Sequence, residues 1–159
     1  MEKFTYFYRS ESPFSQWYPA NFYIDGHQFN CAEQYMMYCK AVLFKDITSS
    51  QLILRTQTPR EQKELGRKIR GFDKAIWERN CKAFVYEGNY EKFSQNKDLL
   101  QILLDTKGTS LVEASPTDRI WGAGLTEDDP RILNRATWRG TNWLGEILTE
   151  LRDNLILRN

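Results

Sequence analysis

Apolar residues in the last part of the chain recur at intervals of three and four, which predicts an amphipathic helix. These positions are Leu144, Ile147, Leu148, Leu151 and Leu155. The same helical spacing runs through DKAIWERNCKAFVYEG at 73–88 and NKDLLQILLDTKG at 96–108. Short aromatic or β-branched runs, FTYFY at 4–8, ANFYID at 20–25 and SLVEA at 110–114, predict strands instead.

Start and stop signals predict two further helix boundaries. Thr58 is a typical N-cap, Pro59 suits the first helical position, and Glu61 can complete a capping box, so a helix begins there and ends by Gly71. Asn30 is the expected cap of a helix from Cys31 to about Lys45.

These elements predict an α+β fold, a single compact helix-rich domain with a small β-sheet, rather than alternating strands and helices. The chain has 159 residues, of which 41% are hydrophobic, so it can bury a substantial core. Since no linker, repeat or low-complexity segment interrupts it, we expect one domain over 1–159.

Charge and cysteine content exclude several classes of protein. A formal net charge of +1 argues against a broadly basic DNA-binding surface, although a local phosphate pocket remains compatible. No apolar run is long enough for a membrane span or a signal peptide, so we expect a soluble, cytoplasmic protein without a membrane partner. Three scattered cysteines and one histidine argue against disulfides, a metal site and Cys-His or Ser-His catalysis. We expect no cofactor.

Phosphate-binding motifs are absent from the sequence. WGAGL at 121–125 lacks the glycine spacing of a dinucleotide-binding loop, and no P-loop occurs. Polar residues instead stand among aromatic residues and glycines in four places. They are Ser15 and Gln16 beside Trp17; Glu33 and Lys40; Asp118 with Trp121, Gly122 and Gly124; and Asn142 between Gly140 and Gly145.

Glu33 and Asp118 are the carboxylates that hydrolysis of a glycosidic bond would use. One group must protonate the leaving group or activate water, while the other supports an oxocarbenium-like centre. Glu33 and Lys40 are seven residues apart and share a face of the predicted helix with apolar neighbours such as Met37. A flat nucleobase suits such a face, and a ribosyl bond beside it needs charged groups in a partly dry site.

Five long motifs resemble the NADAR family of YbiA-like N-glycosidases, in order and over nearly the whole chain. They are SPFSQWYPANFYIDGHQFNCAEQYMMYCKAVLF at 12–44, LGRKIRGFD at 65–73, KFSQNKDLLQILLDT at 92–106, LVEASPTDRIWGAGL at 111–125 and WRGTNWLGEIL at 138–148. The resemblance implies a compact α+β domain. It also implies cleavage of N-glycosidic bonds, in ADP-ribosylated guanine of nucleic acid or in phosphoribosyl intermediates of riboflavin synthesis.

The family's active-site motifs fall on Glu33, Lys40, Asp118, Trp121 and Asn142. The spelling EQYMMYCKA favours the ADP-ribosyl-guanine branch, with ADP-ribosylated DNA or RNA as the source of the substrate. A departure is Ala123, where a bulkier aliphatic residue is expected in WGxGL, and this leaves the substrate open. The full set of expected substrate-binding residues is Ser15, Gln16, Trp17, Met37, Arg67, Trp121, Gly122 and Asn142.

Each of these residues also has a structural interpretation. Glu33 can be the partner of Asn30 in a capping box, Lys40 can lie on a solvated helix face, and Asn142 can be an N-cap. Asp118 can cap a turn, the tryptophans can belong to the core, and Arg67 can belong to a basic helix end. The sequence leaves open how Glu33, Asp118 and Lys40 divide the acid, base and nucleophile roles, and what the oligomeric state is. A module that binds ADP-ribose without turnover is the remaining alternative.

Overall fold

The computed structural model describes residues 1–158 and divides the chain into two compact units. The central unit is Gln16–Lys97, and the terminal unit joins Met1–Ser15 to the residues from Asp98 onward. The strands are β1 (Phe4–Phe7), β2 (Phe22–Ile24), β3 (His27–Phe29) and β4 (Ser110–Glu113). The helices are α1 (Ala32–Leu43), α2 (Ile47–Arg55), α3 (Pro59–Arg67), α4 (Lys74–Ser94), α5 (Lys97–Leu104) and α6 (Trp143–Arg158). Short 3-10 turns cover Pro130–Leu133 and Arg135–Thr137.

Helix α1 is the centre of the central unit, where it packs against α2, α3 and α4. Two glycines allow these close approaches. A Cβ atom on Gly66 of α3 would lie 2.0 Å from the sulfur of Met37, and one on Gly88 of α4 would lie 2.7 Å from the Tyr35 ring. The α1 face is therefore held on both sides by helices that cannot carry a larger residue at the crossing.

The hairpin β2–β3 packs its aromatic side chains into the core of the central unit, against the start of α1. Asp25 and Gly26 have φ angles of +50° and +81°, the left-handed conformations that a two-residue hairpin turn requires. Phe22 and Phe29, opposite each other in the hairpin, are fully buried and stack with ring centroids 5.7 Å apart. This packing fixes the start of α1, which follows β3 directly.

In the terminal unit, β1 and β4 form a parallel pair, and α6 packs against β4. Its core contains buried apolar residues from β4 and from the loops that follow it: Val112, Ala114, Ala123, Leu125 and Ile132. Arg135 ties the 3-10 turns to the N-terminal segment and to the first turn of α6 through ion pairs with Glu2 and Glu146.

The predicted α+β class, helix-rich with little sheet, is confirmed. The sheet content within residues 1–158 is two separate two-stranded pairs, and the single-domain boundary 1–159 stays a prediction. Strand SLVEA, the N-cap at Thr58 and the last helix are all present. In the described part of the chain, no helix combines the length and apolar character needed to cross a membrane.

Two local predictions are wrong, and two elements were not predicted. The residue before α1 is Cys31, and its side chain makes no capping bond; the Asn30 amide instead bonds to Gln57 O and to the Gln62 side chain. The α3 helix ends at Arg67 rather than near Gly71. The sequence interpretation also missed α2 and β3 altogether, although Asp46 accepts a bond from Ser49 N as the N-cap of α2.

Candidate active site

Glu33 lies in the first turn of α1 and is 5% exposed. Its backbone N–H donates to Gln16 O at 3.0 Å, which anchors the loop before β2 to the start of the helix. Since Asn30 does not cap α1, the capping-box explanation of Glu33 does not apply. A carboxylate at this helix end is stabilised by the partial positive charge of the helix N-terminus.

Gln16 and Asn89 form a buried amide pair beside this helix start. Asn89 Nδ2 donates to Gln16 Oε1 at 2.9 Å and to Val85 O at 2.8 Å. Gln16 Nε2 and Asn89 Oδ1 are buried without a hydrogen-bond partner from residues 1–158. A buried donor and acceptor of this kind are costly unless a ligand or water meets them.

Lys92 of α4 is the residue of this site that the sequence interpretation missed. Its side chain is fully buried, and its Nζ lies 4.9 Å from the Phe93 ring centroid and 5.8 Å from that of Tyr18. Burial lowers the pKa of Lys92 from 10.5 to about 7, and the nearby Cys31 opposes this shift. At neutral pH a large fraction of its amine is therefore uncharged.

Cys31 links Lys92 to Glu33. Burial raises the pKa of the Cys31 thiol to about 11, while the charge of Glu33 raises it further and that of Lys92 lowers it. Both charged groups are thus close to this thiol, which donates to Gln62 Oε1 at 3.1 Å. A buried carboxyl group on α1 and a buried amine on α4 therefore both act on the thiol of the residue before α1.

The sequence does contain a signal for Lys92. Cys81, Val85 and Gly88 recur at helical spacing and are all buried, and the next position of that series is Lys92. A lysine in the buried stripe of an amphipathic helix is unusual, because an unpaired charge is rarely placed in a core. The lysine is recognised as buried only when the apolar face of the helix is followed past Gly88 to Lys92.

Lys40 is held between α1, α3 and α4. Its Nζ donates to Gly66 O at 2.8 Å, an acceptor in the last turn of α3, and lies 4.7 Å from the Phe72 ring centroid and 5.7 Å from that of Trp77. Burial lowers the pKa of Lys40, with the charge of Glu33 opposing the shift and that of Arg67 adding to it. Lys40 therefore has a structural task at this helix end, and its catalytic role stays a prediction.

Replacing Lys40 with Met should lower the free energy of unfolding by about 1 kcal/mol, because the bond to Gly66 O is lost while the apolar stem is kept. If Lys40 also contacts substrate, base release should fall in protein that is still fully folded at the assay temperature. Thermal unfolding and base release are measured on the same preparation. Unchanged release from folded Lys40→Met would assign this residue to helix packing alone.

The other predicted residues of the central unit have mixed positions. Met37 is buried against Gly66, so its substrate role stays a prediction beside a clear packing role. Arg67 is exposed at the end of α3. Trp17 is partly exposed, lines a cavity and has Lys63 Nζ 5.9 Å from its ring.

In the terminal unit, Asp118 organises a turn. Its Oδ1 accepts from the backbone N–H groups of Ile120 at 2.9 Å and Trp121 at 2.8 Å, and its own N–H donates to the buried Ser115 hydroxyl at 3.1 Å. This is the turn-capping role that competes with catalysis. A carboxylate oxygen can serve both purposes, so the catalytic assignment stays a prediction.

Asparagine and alanine at this position separate the two roles of Asp118. In Asp118→Asn an amide oxygen can still accept both turn bonds, so we expect normal thermal unfolding. If Asp118 assists Glu33 in the chemistry, base release by this variant should fall by about 10². Asp118→Ala removes the acceptor as well and should also lower the free energy of unfolding by about 1 to 2 kcal/mol. Near-wild-type release by Asp118→Asn would leave Asp118 as a turn residue only.

Asn142 joins α6 to β4. Its φ angle is +52°, its side chain accepts from Glu113 N at 2.9 Å and donates to Leu111 O at 3.0 Å, and its carbonyl accepts the first bond of α6, from Glu146 N. The residue occupies the N-cap position, but its side chain binds the strand. Its substrate role stays a prediction.

The remaining predicted residues of the terminal unit are Trp121, Gly122 and Ser15. Trp121 packs edge-on against Trp143 with centroids 5.6 Å apart. Gly122 is buried where a Cβ atom would lie 2.9 Å from Glu113 O, so this position admits only glycine. Ser15 is buried, and its N–H donates to Ser12 O at 3.0 Å.

Metal binding has no candidate site in residues 1–158, since nowhere in them do three His, Cys, Asp or Glu side chains converge. The three cysteines are buried and unpaired with one another. The expectation that the reaction needs no metal stays a prediction.

The fold and this site define a helix-rich α+β protein with a buried carboxyl group on α1 and a buried amine on α4 that both act on Cys31. The model of the NADAR domain matches residues 6–156, so the chain belongs to the NADAR family. The resemblance inferred from the motifs is thereby confirmed.

Named relatives and a solved structure agree with this assignment. The chain is 41% identical to protein irg-1 of Caenorhabditis elegans, over 98% of this chain and 81% of that protein. It is 43% identical to N-glycosidase R617 of Acanthamoeba polyphaga mimivirus, over 88% and 85%. The NMR structure of the E. coli protein YbiA superimposes with a TM-score of 0.80 at 25% identity, covering 99% of this chain and 88% of that one.

Proposed function

We propose that this protein is an N-glycosidase that hydrolyses the bond between a ribose and a base. The observation that carries the proposal is that Glu33 and Lys92 are both buried and that the charge of each acts on Cys31, the residue before α1. A carboxyl group and an amine of lowered pKa in a dry site are suited to glycosidic bond cleavage. The name of the viral relative, N-glycosidase R617, supports the same chemistry.

In the proposed mechanism Lys92 is the amine nucleophile, a role that the sequence left open among those of Lys40. With a pKa of about 7, roughly half of the Lys92 side chains are neutral at pH 7 and can attack the sugar carbon as the bond to the base breaks. Glu33 accepts the proton released by the attacking amine and passes it to the departing base. Water then releases the sugar from Lys92.

The amide pair beside the site supports a base that carries a carbonyl next to an N–H group. Gln16 Nε2 offers a donor and Asn89 Oδ1 an acceptor, and both are buried without a partner among the described residues. Such a base edge presents the complementary acceptor and donor. Guanine has this edge.

We infer that the natural substrate is ADP-ribosylated guanine in DNA or RNA. The net charge of +1 does not favour tight binding to long nucleic acid, but an unstacked base needs only a small footprint. The alternative is the same reaction on a phosphoribosylamino-pyrimidine intermediate of riboflavin synthesis, which also carries a carbonyl beside an N–H group.

The deciding experiment offers purified protein both substrate classes and separates the products by mass. Release of guanine, or of ADP-ribose from modified guanine, at a higher kcat/KM than cleavage of the pyrimidine intermediate is the expected result. The opposite order would select the riboflavin intermediate. No release from either class, with ADP-ribose binding retained, would show a binding module instead of an enzyme.

A trapping experiment tests the amine role. Borohydride added during turnover should leave the reduced sugar attached to the chain, and a peptide digest should place the added mass on Lys92. Lys40 lies in the same unit and serves as the internal comparison. Turnover without any trapped sugar would exclude attack by an amine, and mass on Lys40 would return the role to the residue expected from sequence.

A further inference from the structure

A cavity of about 360 Å³ lies within the central unit, close to the start of α1. Its wall includes the indole of Trp17, the rings of Pro19 and Pro59, and the carboxamides of Asn21, Asn30 and Asn96. This volume falls in the range of about 300 to 1,000 Å³ that is typical of small-molecule sites. None of the roles discussed above uses the cavity as a whole.

Hydrogen bonds fix the shape of the cavity. Asn30 Nδ2 donates to Gln57 O at 2.8 Å, which ties the chain before α1 to the chain before α3. Asn96 Nδ2 donates to Asn21 O at 2.9 Å, which ties the end of α4 to the loop before β2. A cavity held in this way needs little reorganisation to accept a ligand.

The composition of the wall indicates the chemistry of the ligand. Its lining residues within positions 1–158 carry no charge, which disfavours a phosphate or carboxylate as the group inside. An indole offers a stacking surface, and a carboxamide such as that of Asn21 carries a donor and an acceptor. A flat neutral heterocycle with polar edges, such as a nucleobase, fits this combination.

Two hydrogen bonds connect the wall of the cavity to the backbone of the segments that carry Glu33 and Lys92. Trp17 follows Gln16, whose carbonyl oxygen accepts the N–H of Glu33. Asn96 Nδ2 also donates to Lys92 O at 2.8 Å, one turn away on α4. The wall of the cavity is therefore continuous with the start of α1 and the last turns of α4, the two segments that carry Glu33 and Lys92.

We propose that the cavity binds a second nucleobase of the substrate, stacked on Trp17, while the scissile ribosyl bond lies at Glu33. This rests on the proposed N-glycosidase function. The second base has two sources, the adenine of the ADP-ribose group itself or the base of a neighbouring nucleotide. The chemistry of recognition is the same for both.

The test compares KM and kcat of wild type and Trp17→Ala on three substrates. These are ADP-ribosylated guanosine, the same compound cut back to a phosphoribosyl group, and an ADP-ribosylated oligonucleotide. Loss of stacking on one base should raise KM about 10-fold or more on substrates that fill the cavity. Trp17→Phe, which keeps a flat ring, should restore part of the loss, and Tyr23→Ala removes an exposed aromatic outside the cavity as a matched control.

If adenine fills the cavity, the KM effect of Trp17→Ala is at least about 10-fold larger on ADP-ribosylated guanosine than on the truncated compound. If a neighbouring base fills it, that excess is seen on the oligonucleotide only. Equal KM effects on all three substrates, or none on any, would overturn the proposal. Asn21→Ala, which keeps the carbonyl that Asn96 binds, replaces Trp17→Ala if the latter does not fold.

A binding measurement separates failure of this inference from failure of the proposed function. ADP-ribose and an unmodified oligonucleotide are titrated calorimetrically into wild type, Trp17→Ala and Tyr23→Ala. If no substrate is cleaved, binding of either probe that weakens about 10-fold in Trp17→Ala alone still supports the base site. Binding that is equal in all three proteins, or absent in wild type, would count against it.

Discussion

Glu33→Gln should lower base release by at least about 10²-fold while the protein keeps its fold. The substitution conserves the size of a side chain that is only 5% exposed and removes its ability to accept and pass on a proton. The helix N-terminus loses a favourable charge as well, which should lower the free energy of unfolding by less than about 1 kcal/mol. A large loss of rate with a small loss of stability is therefore expected.

The measurement is base release under single-turnover conditions, with thermal unfolding of the same sample. Glu64→Gln provides the matched control, because it neutralises an exposed carboxylate of α3 in the same unit. The control should release base at the wild-type rate. If Glu33→Gln does so too, Glu33 has no part in the chemistry.

Lys92→Met should abolish most turnover, again by at least about 10²-fold, since the proposed nucleophile is removed. In wild type the rate should rise with pH through about 7, because burial lowers the pKa of Lys92 to about 7 and its neutral form is the reactive one. The pH profile of base release between pH 5.5 and 8.5 checks this point. A rate that falls with pH through 7 would indicate that the ammonium form of Lys92 acts as a proton donor.

The same substitution should also change how the free energy of unfolding depends on pH. In the folded protein the pKa of Lys92 is about 7, against 10.5 for the free side chain, so between these values the unfolded chain binds more protons than the folded one. The free energy of unfolding of wild type therefore rises with pH across this window. Relative to Lys92→Met, the rise between pH 7 and 9 should be on the order of 2 kcal/mol.

Denaturant unfolding of both proteins at pH 7 and 9 measures this difference. Lys74→Met is the control on the same helix, because the Lys74 side chain is 79% exposed. Its stability relative to wild type should not change with pH. If the stability of Lys92→Met relative to wild type does not change with pH either, Lys92 is charged in the folded protein at pH 7. That result would exclude the neutral-amine mechanism.

Local chemistry explains why parts of the fold were predictable. The Thr58 N-cap, the buried strand at Ser110–Glu113 and the apolar series of α6 depend on neighbours a few residues away. The predictions failed where side chains found distant partners. Asn30 gave up its expected capping role for Gln57 and Gln62, which no spacing rule could identify.

In the candidate site, too, the sequence predicted local features but not distant partners. The sequence placed Glu33 near the start of a helix, and the family motifs pointed to the residues around it. It did not reveal that Lys40 binds Gly66 O and that a different lysine, Lys92, is the fully buried one. Whether a lysine is buried depends on what packs over its helix face, and that is decided by the fold as a whole.

By itself the sequence determined the α+β class, most helix positions and the NADAR resemblance, because each depends on short-range pattern or on motif identity; the choice of Glu33 and Asp118 as catalytic carboxyl groups stays a prediction. The tertiary structure decided which groups share an environment. Only the packing of α1 against α4 brings Glu33, Cys31 and Lys92 together, and only burial lowers the pKa of Lys92 to about 7. Desolvation and electrostatic interaction act through space. Glu33 and Lys92 are 59 positions apart in the chain, so only the fold can place them in a shared environment.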